Sequence, residues 1–588
     1  MLCPTLIFLD NKKNIHRQKR YSKFLTLLRY ETGNACVLLK ADSELSYSKV
    51  CTKFGTLLTV GESSARNVLE TIGLSASDWK EFSQDVCEVA GDWIAVTQQE
   101  NSFHIHLPLL SRFPLFWSES PSDTVASTSL EYLVESGAQL DLCDLTLRTL
   151  PLGPPWPFSR QTIWTGIRRL SVAERLDITG VRRQASRVWT GIVPKYDRKD
   201  IVSALANELP LTVARLCENS THVGVDCSGG LDSTAVAYLA YSKGLKIDAY
   251  HVAPADPANE DSVWAMKVIS EIGATPVISH NRSVSSFFVS SAQEQPFDPE
   301  GPFVWSAGYS HLNAVATRNR LREINVQLTG FGGDELFTPM PAQLWSCVRE
   351  NKIRGLGKIR RSAKLNRVPV TNLISEALRS TPFHEAFSNC LAQNVNTYGV
   401  DLSWGVRLRP AKWITRDALN EVQKQVCHLA ELEIAPLSID RSIHQQLLSL
   451  SYEVELLRQI TRNFGFGELT WRSPFLEREI VIPTLGLSSF DRLNDGRTKL
   501  LLRDVTRGIV PDTVFNRIGK GDYSRELFNA IALQRGHLRS YFSHCRLADI
   551  GIVDADKLLA AIDSGINSTD ELHALQSTLE TERWLRCL

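Results

Sequence analysis

From about Asp197 onward, short apolar runs and amphipathic segments take turns along the chain. Ile201–Cys217 has the spacing of an amphipathic helix, and His222–Asp226 is a β-branched run that flows into Ser-Gly-Gly. Ser233–Ser242 then reads as helix, Lys246–Val252 as strand, Asp261–Ile272 as helix and Pro276–Ser279 as strand. Ala307–Leu321 and Ile324–Leu328 add one more helix and one more strand. This alternation predicts a parallel sheet with helices on both faces. Beyond Pro341 the pattern is helical and rich in Leu and Arg.

The first third follows a different period and predicts mostly β structure. Asn34–Lys40 is a short apolar run, and Asp92–Thr97 followed by Ser102–Leu107 predicts a hairpin. Ser63–Gly73 and Ala76–Val89 predict helices between them. Leu150–Phe158 is too dense in Pro and Gly to be anything but loop, and Gly166–Leu170 and Glu174–Ile178 return to strand. The apolar start, Met1 to Asp10, lacks a basic segment and an Ala-x-Ala cleavage pattern, so a first buried strand is expected there. The change of rhythm divides the chain into an expected domain over residues 1–195 and a second over 196–588.

Composition sharpens this picture only in part. A chain of 588 residues exceeds one ordinary core. The 65 basic and 65 acidic residues cancel, which offers nucleic acid no electrostatic footprint. The 12 cysteines form no CxxC pair and no zinc-ligand spacing, as expected of free thiols in a reducing cytosol. No run reaches the roughly 18 apolar residues that cross a bilayer, so a cytoplasmic location without membrane contact is expected. His251, His280 and His311 have no ligand spacing, and the 13 tryptophans, Trp264 and Trp305 among them, read as core or pocket wall.

The strongest chemical signal is Asp226-Cys227-Ser228-Gly229-Gly230-Leu231-Asp232-Ser233, between a buried strand and a helix. Two glycines let backbone N–H groups approach an anion, and the helix that follows adds its positive end. Ser228 and Ser233 offer hydroxyls to phosphate oxygens, and Asp232 offers a hard ligand for Mg²⁺. No Gly-Lys-Ser/Thr follows, which excludes the kinase-type P-loop. Glu260-Asp261 opens a helix, where carboxylates suit the dipole; Glu260 is a candidate for substrate contact.

These residues resemble the pyrophosphate loop of the asparagine synthetase superfamily. Thr329-Gly330-Phe331-Gly332-Gly333-Asp334-Glu335 resembles its second phosphate-side loop, and the segment from Lys499 to Asp504 with Asn516–Gly521 resembles its carboxy-terminal catalytic segment. Arg472-Ser473-Pro474-Phe475-Leu476-Glu477 resembles a further family segment with a structural role. The resemblance implies an adenine-nucleotide α-hydrolase-like (PP-loop) α/β fold, preceded by a degenerate glutaminase-like (Ntn) α+β sandwich. It implies ATP and Mg²⁺ as cofactors, with Asp232 and Asp334 on the metal and Lys520 stabilising charge in catalysis. Val225, Ser228, Gly229, Gly230, Leu231, Ser233, Val252, Gly330 and Lys499 are the implied nucleotide contacts; Phe331 and Trp305 line the substrate pocket.

Two departures narrow the substrate. Leu2 stands where a glutamine-hydrolysing relative carries its nucleophilic Cys, so the sandwich is expected to persist without that chemistry. Phe331 stands where β-lactam synthetase has a Tyr and asparagine synthetases a Glu, and a phenyl ring transfers no proton. Both departures resemble the lasso peptide macrolactam synthetases. That implies adenylation of an Asp or Glu side chain of a precursor peptide, ring closure by its α-amine, and partnership with a leader-recognising protein and a peptidase. The alternatives are an ammonia-dependent asparagine synthetase, a β-lactam-type small-molecule amide synthetase, and a nucleotide-binding scaffold or regulator.

Overall fold

The computed structural model describes residues 6–9, 24–29, 36–40 and 47–588, the last apart from 100–101, 120–123, 135–136, 152, 181, 190, 192–194, 255, 257–258, 281–296, 306–307, 392–400, 466–467, 494–498, 518–520 and 522–523. The chain forms two compact units. The first comprises Met1–Asp144, Trp156–Ile192 and Pro299–Gly301, and the second Leu145–Pro155, Val193–Asp298 and Pro302–Leu588.

Among the described residues the first unit holds twelve strands: β1 (Leu6–Leu9), β2 (Phe24–Arg29), β3 (Cys36–Lys40), β4 (Tyr47–Thr52), β5 (Gly55–Gly61), β6 (Trp93–Gln99), β7 (Ser102–His106), β8 (Phe116–Ser118), β9 (Thr124–Ser127), β10 (Ile167–Arg169), β11 (Glu174–Thr179) and β12 (Arg182–Arg187). They make two six-stranded antiparallel sheets, ordered β10-β8-β9-β1-β3-β2 and β12-β11-β7-β6-β5-β4. Alternation along the strands explains the layering. Leu58, Val60, Ile94 and Val96 point inward and pack with Leu6, Phe8 and Val37 of the other sheet. Their neighbours Leu57, Trp93 and Ala95 point outward and pack against the Ser63–Ser75 and Trp79–Cys87 helices through Leu69, Phe82 and Val86. The expected helix over Ala76–Val89 starts later than its apolar pattern, because Asp78 caps it with bonds from the Lys80 and Glu81 N–H groups.

The second unit contains the expected parallel sheet, with five strands among the described residues: β13 (His222–Asp226), β14 (Lys246–Ala253), β15 (Thr275–His280), β16 (Val326–Leu328) and β17 (Thr470–Arg472). Their order is β15-β14-β13-β16-β17, and each adjacent pair is parallel. The chain therefore builds outward from β13 on one side and returns to build outward on the other. The strand order reverses between β13 and β16, and such a reversal opens a crevice at the carboxyl ends of the two strands. The Leu231–Ser242 helix after β13 is buried at every position from Asp232 to Ala240, which its all-round apolar composition permits. Among the described residues no helix is long and apolar enough to cross a membrane.

Candidate active site

Both glycine-bearing loops leave the sheet at this reversal. Val225 of β13 pairs with Leu328 of β16 in parallel register, so the loop after Asp226 and the loop from Thr329 start side by side. Beneath them lies a buried polar chain. Tyr250 donates to Asn319 at 2.6 Å, Asn319 donates to Gln327 at 2.9 Å, and Gln327 donates to Asp226 at 2.7 Å. Burial pushes the Asp226 carboxyl up to about 6 despite bonds from Gln327 and Thr329. This network fixes the floor on which the loops stand.

The first loop is held by its own serines. Ser228 and Ser233 share a hydroxyl–hydroxyl bond of 2.9 Å, the Gly230 N–H donates to Ser228 Oγ at 3.2 Å, and Ser233 Oγ donates to the Gly230 carbonyl at 3.2 Å. Gly229 has φ +84°, and a Cβ there would run into the Asp261 carbonyl; the turn admits no other residue without strain. The helix begins at Leu231 with Gly230 as its cap residue, two positions earlier than the hydrophobic pattern implied. Leu231 and Asp232 thus lie in the first turn, where the N–H groups of a buried helix face the loop.

The second loop packs directly on the first. A Cβ on Gly330 would lie 2.7 Å from the Ser233 nitrogen and 2.9 Å from the Asp232 Cβ, and one on Gly333 would strike the Asp232 carboxylate. The Arg472–Glu477 segment supports this loop from below, as expected. The Thr329 N–H donates to the Arg472 carbonyl at 2.9 Å, Ser473 Oγ donates to the Phe331 carbonyl at 2.6 Å, and Phe475 packs edge-on against Phe337 at 5.3 Å. The Phe331 ring meets Trp305 edge-to-face at 6.2 Å between centroids. Among the residues singled out, these two make an aromatic wall.

Lys499 joins the loops. Its side chain is 5% exposed, and its ammonium contacts Asp232 Oδ2 and, at 2.7 Å, Asp334 Oδ1. The residue sits in the left-handed region (φ +50°), at a cost of roughly 1–2 kcal/mol. Strain of that kind is tolerated where position serves function. Two carboxylates converging on one cation are also a donor set that Mg²⁺ accepts beside nucleotide phosphates, since it commonly takes only one or two protein carboxylates. Among the described residues no group of three His, Cys, Asp or Glu is placed to hold a metal. Asp232 and Asp334 fit a Mg²⁺ that shares its coordination with phosphate.

The remaining singled-out residues fall unevenly. Val252 lies near the carboxyl end of β14, beside the central strand β13 that carries the first loop. Glu260 is exposed at the cap of the Asp261–Glu271 helix, while its neighbour Asp261 turns inward and is 1% exposed. Arg517 donates to Asp261 Oδ1 and to the Gly229 carbonyl, and its guanidinium lies 5.8 Å from the centre of the Trp264 ring. Asp261 also accepts from the Gly521 N–H at 3.1 Å. Lys520 lies outside the described residues. His251 is a satisfied core histidine: its nitrogens bond the Cys227 carbonyl and Ser262 Oγ, each at 2.8 Å, and burial lowers its pKa.

Sequence reasoning placed Arg517 and Glu335 inside family-like segments and Asp261 at a helix start without giving them a part in the site, and it passed over Glu453. Glu453, on the Arg441–Phe464 helix, is pushed up to about 8 by burial and then by the charges of Glu335 and Asp334. Glu335 is itself raised by burial and by Asp334. Helix spacing marks Glu453 only as a polar position; its role as a facing acid follows from the fold.

Comparison with known proteins bears on this geometry. No curated protein sequence matches the chain. Among solved structures, NMN synthetase from Francisella tularensis is 15% identical with a TM-score of 0.18, over 26% of this chain and 58% of that one. The glutamine phosphoribosylpyrophosphate amidotransferase of B. subtilis is 9% identical with a TM-score of 0.23, over 58% of this chain and 82% of that one. A tRNA thiolase of Methanococcus maripaludis is 14% identical with a TM-score of 0.18, over 55% and 85% respectively. Likenesses this slight carry no argument. The asparagine synthase family model, by contrast, matches residues 204–586, which is well over half of the chain and includes both loops, Lys499 and Arg517. The chain belongs to the asparagine synthase family, whose members are ATP-dependent ligases.

Proposed function

We propose that this protein is an ATP-dependent macrolactam synthetase of the lasso peptide type, acting in the cytoplasm. Residues 196–588 would form the synthetase domain and residues 1–195 a glutaminase-like domain without glutaminase chemistry. The observation that carries the reading is the meeting of Asp232 and Asp334, one from each loop, on Lys499 at the sheet's reversal.

In this reading the triphosphate rests on the Ser228–Ser233 turn, bound by loop N–H groups, by the serine hydroxyls and by the helix end. Val225 and Val252 flank the adenine. Mg²⁺ on Asp232 and Asp334 would supply charge neutralisation for departing pyrophosphate. An Asp or Glu side chain of the precursor peptide attacks the α-phosphate, giving acyl-AMP and pyrophosphate. The peptide's α-amine then attacks the acyl carbon and AMP leaves; Lys520 is assigned to the oxyanion of that step. Ring closure gains from holding both ends of one peptide together, a proximity effect of roughly 7–11 kcal/mol. Phe331 and Trp305 offer no proton acceptor, which suits a nucleophile that is already an amine. A leader-recognising protein and a peptidase would prepare the substrate.

The test is product identification. The purified chain, ATP and Mg²⁺ are given a core peptide with a free α-amine and an internal Asp or Glu. A peptide lighter by one water, with stoichiometric AMP, supports the proposal. Asparagine formed from aspartate and ammonium, with every peptide left linear, would replace it with the asparagine synthetase reading.

A further inference from the structure

A second chemical constellation lies wholly within the first unit, on the outer face of its second sheet. Ser102 and His104 are two residues apart on β7 and so share a face, and Asp177 of β11 stands directly opposite His104. His104 Nδ1 lies 2.5 Å from Asp177 Oδ1, and His104 Nε2 lies 3.1 Å from Ser102 Oγ. An ionised carboxylate only accepts, so Nδ1 carries a proton, and in the neutral imidazole Nε2 then presents its lone pair to the hydroxyl. Asp177 is fixed in turn. Arg175 Nε donates to it at 2.7 Å and its terminal nitrogen at 3.1 Å, while the guanidinium reaches Ser83 at 2.7 Å and lies over Trp79 at 5.2 Å. Burial pulls the Asp177 carboxyl upward, but the bonds from His104 and Arg175 outweigh it and hold the group well below the usual carboxylate range. The Trp79 ring lies 4.8 Å from the His104 ring and fixes its plane.

Nucleophile, base and orienting acid are thus joined in the order that defines serine acyl transfer, on a surface that leaves Ser102 half-buried and reachable. We propose that Ser102, His104 and Asp177 form an acyl-transfer site that hydrolyses small activated carboxylic esters. Ser102 Oγ bonds to the ester carbonyl carbon as its proton passes to His104 Nε2. The carbon–oxygen bond to the leaving alcohol breaks, and the imidazolium returns the proton to that alcohol. Water then repeats the exchange, releasing the acid and restoring the serine. Asp177 acts as a positioning residue for the imidazole.

The full chain should give a burst of p-nitrophenol from p-nitrophenyl acetate approaching one equivalent, and a fluorophosphonate probe should label Ser102 in mapped peptides. Ser102→Ala, a change too small to disturb the sheet, should lose both while melting at the wild-type temperature. His104→Gln and Asp177→Asn should slow labelling at least a hundredfold, and Ser102→Cys should retain acylation. Labelling confined to other residues, or a burst that survives Ser102→Ala, would overturn the proposal.

Discussion

The ammonium of Lys499 lies between the carboxylates of Asp232 and Asp334, yet the two acids differ in burial: their side chains are 12% and 54% exposed. The same bridge therefore has two different energetic ends. Lys499→Met takes the facing cation away from the more buried carboxylate, Asp232, and should cost about 3–5 kcal/mol of stability in urea unfolding. Asp334→Asn removes a half-exposed partner and should cost less than about 1 kcal/mol, while still abolishing pyrophosphate exchange. Equal destabilisation by the two variants would contradict this division.

Arg517 ties the first loop to the Asp261 helix through one guanidinium, bonding the Gly229 carbonyl and Asp261 together. Lysine keeps the charge but cannot span both acceptors. Losing one charge-assisted bond is worth about 1.5–3 kcal/mol, so Arg517→Lys should weaken ATP binding roughly ten- to hundredfold in calorimetry. An unchanged ATP affinity would separate this clamp from the nucleotide site.

Glu453 makes stability fall as pH rises from about 4.5 to about 8. The unfolded chain releases this proton near the ordinary value of 4.5, and the fold retains it up to about 8, because burial and the facing Glu335 and Asp334 oppose ionisation. Between those values the native state binds more protons than the unfolded state, so stability declines as pH rises and levels off above 8. Glu453→Gln should gain on the wild type from pH 5 to pH 9 in nucleotide-free melting curves, by about a few kcal/mol at the upper end. A constant difference across that range would contradict the assignment.

His106 acts in the opposite direction. It is wholly buried, neither ring nitrogen has a hydrogen-bond partner among the described residues, and burial, then the Arg175 charge, hold its pKa well below 6.5. The unfolded chain takes up a proton that the fold refuses, so stability is intact above about pH 6.5 and lost below it at roughly 1.4 kcal/mol per unit. His106→Phe, set between Trp79 and Phe82, should flatten that acid limb and raise the melting temperature at pH 5.5. An acid limb as steep as the wild type's would show that other groups govern it.

The reach of the sequence follows from how far apart interacting residues lie along it. The β13 turn was legible because strand, glycines and helix are consecutive; only the helix start was misplaced, since Leu231 and Asp232 carry no capping signal of their own. Strand β17 escaped notice: it has three residues inside a helical region, and only its pairing with Val326–Leu328 makes it a strand. Strands β8 and β9 were missed because they are short and β12 because it is polar on both faces, whereas β2, β4 and β5 went unread although β2 and β5 carry apolar runs. The contacts of Lys499 with Asp232 and of Arg517 with Asp261 close spans of 267 and 256 residues, and no local pattern encodes such a meeting. Glu260 was preferred over Asp261 on helix-start chemistry common to both; burial alone tells them apart.

The central claim is that a carboxylate is adenylated over the Ser228–Ser233 turn, and isotope exchange between labelled pyrophosphate and ATP reads that step without requiring ring closure. The account predicts exchange that depends on a peptide bearing an Asp or Glu side chain and disappears in Asp232→Asn. Absence of exchange with every acid offered, or exchange undiminished in Asp232→Asn, would contradict it.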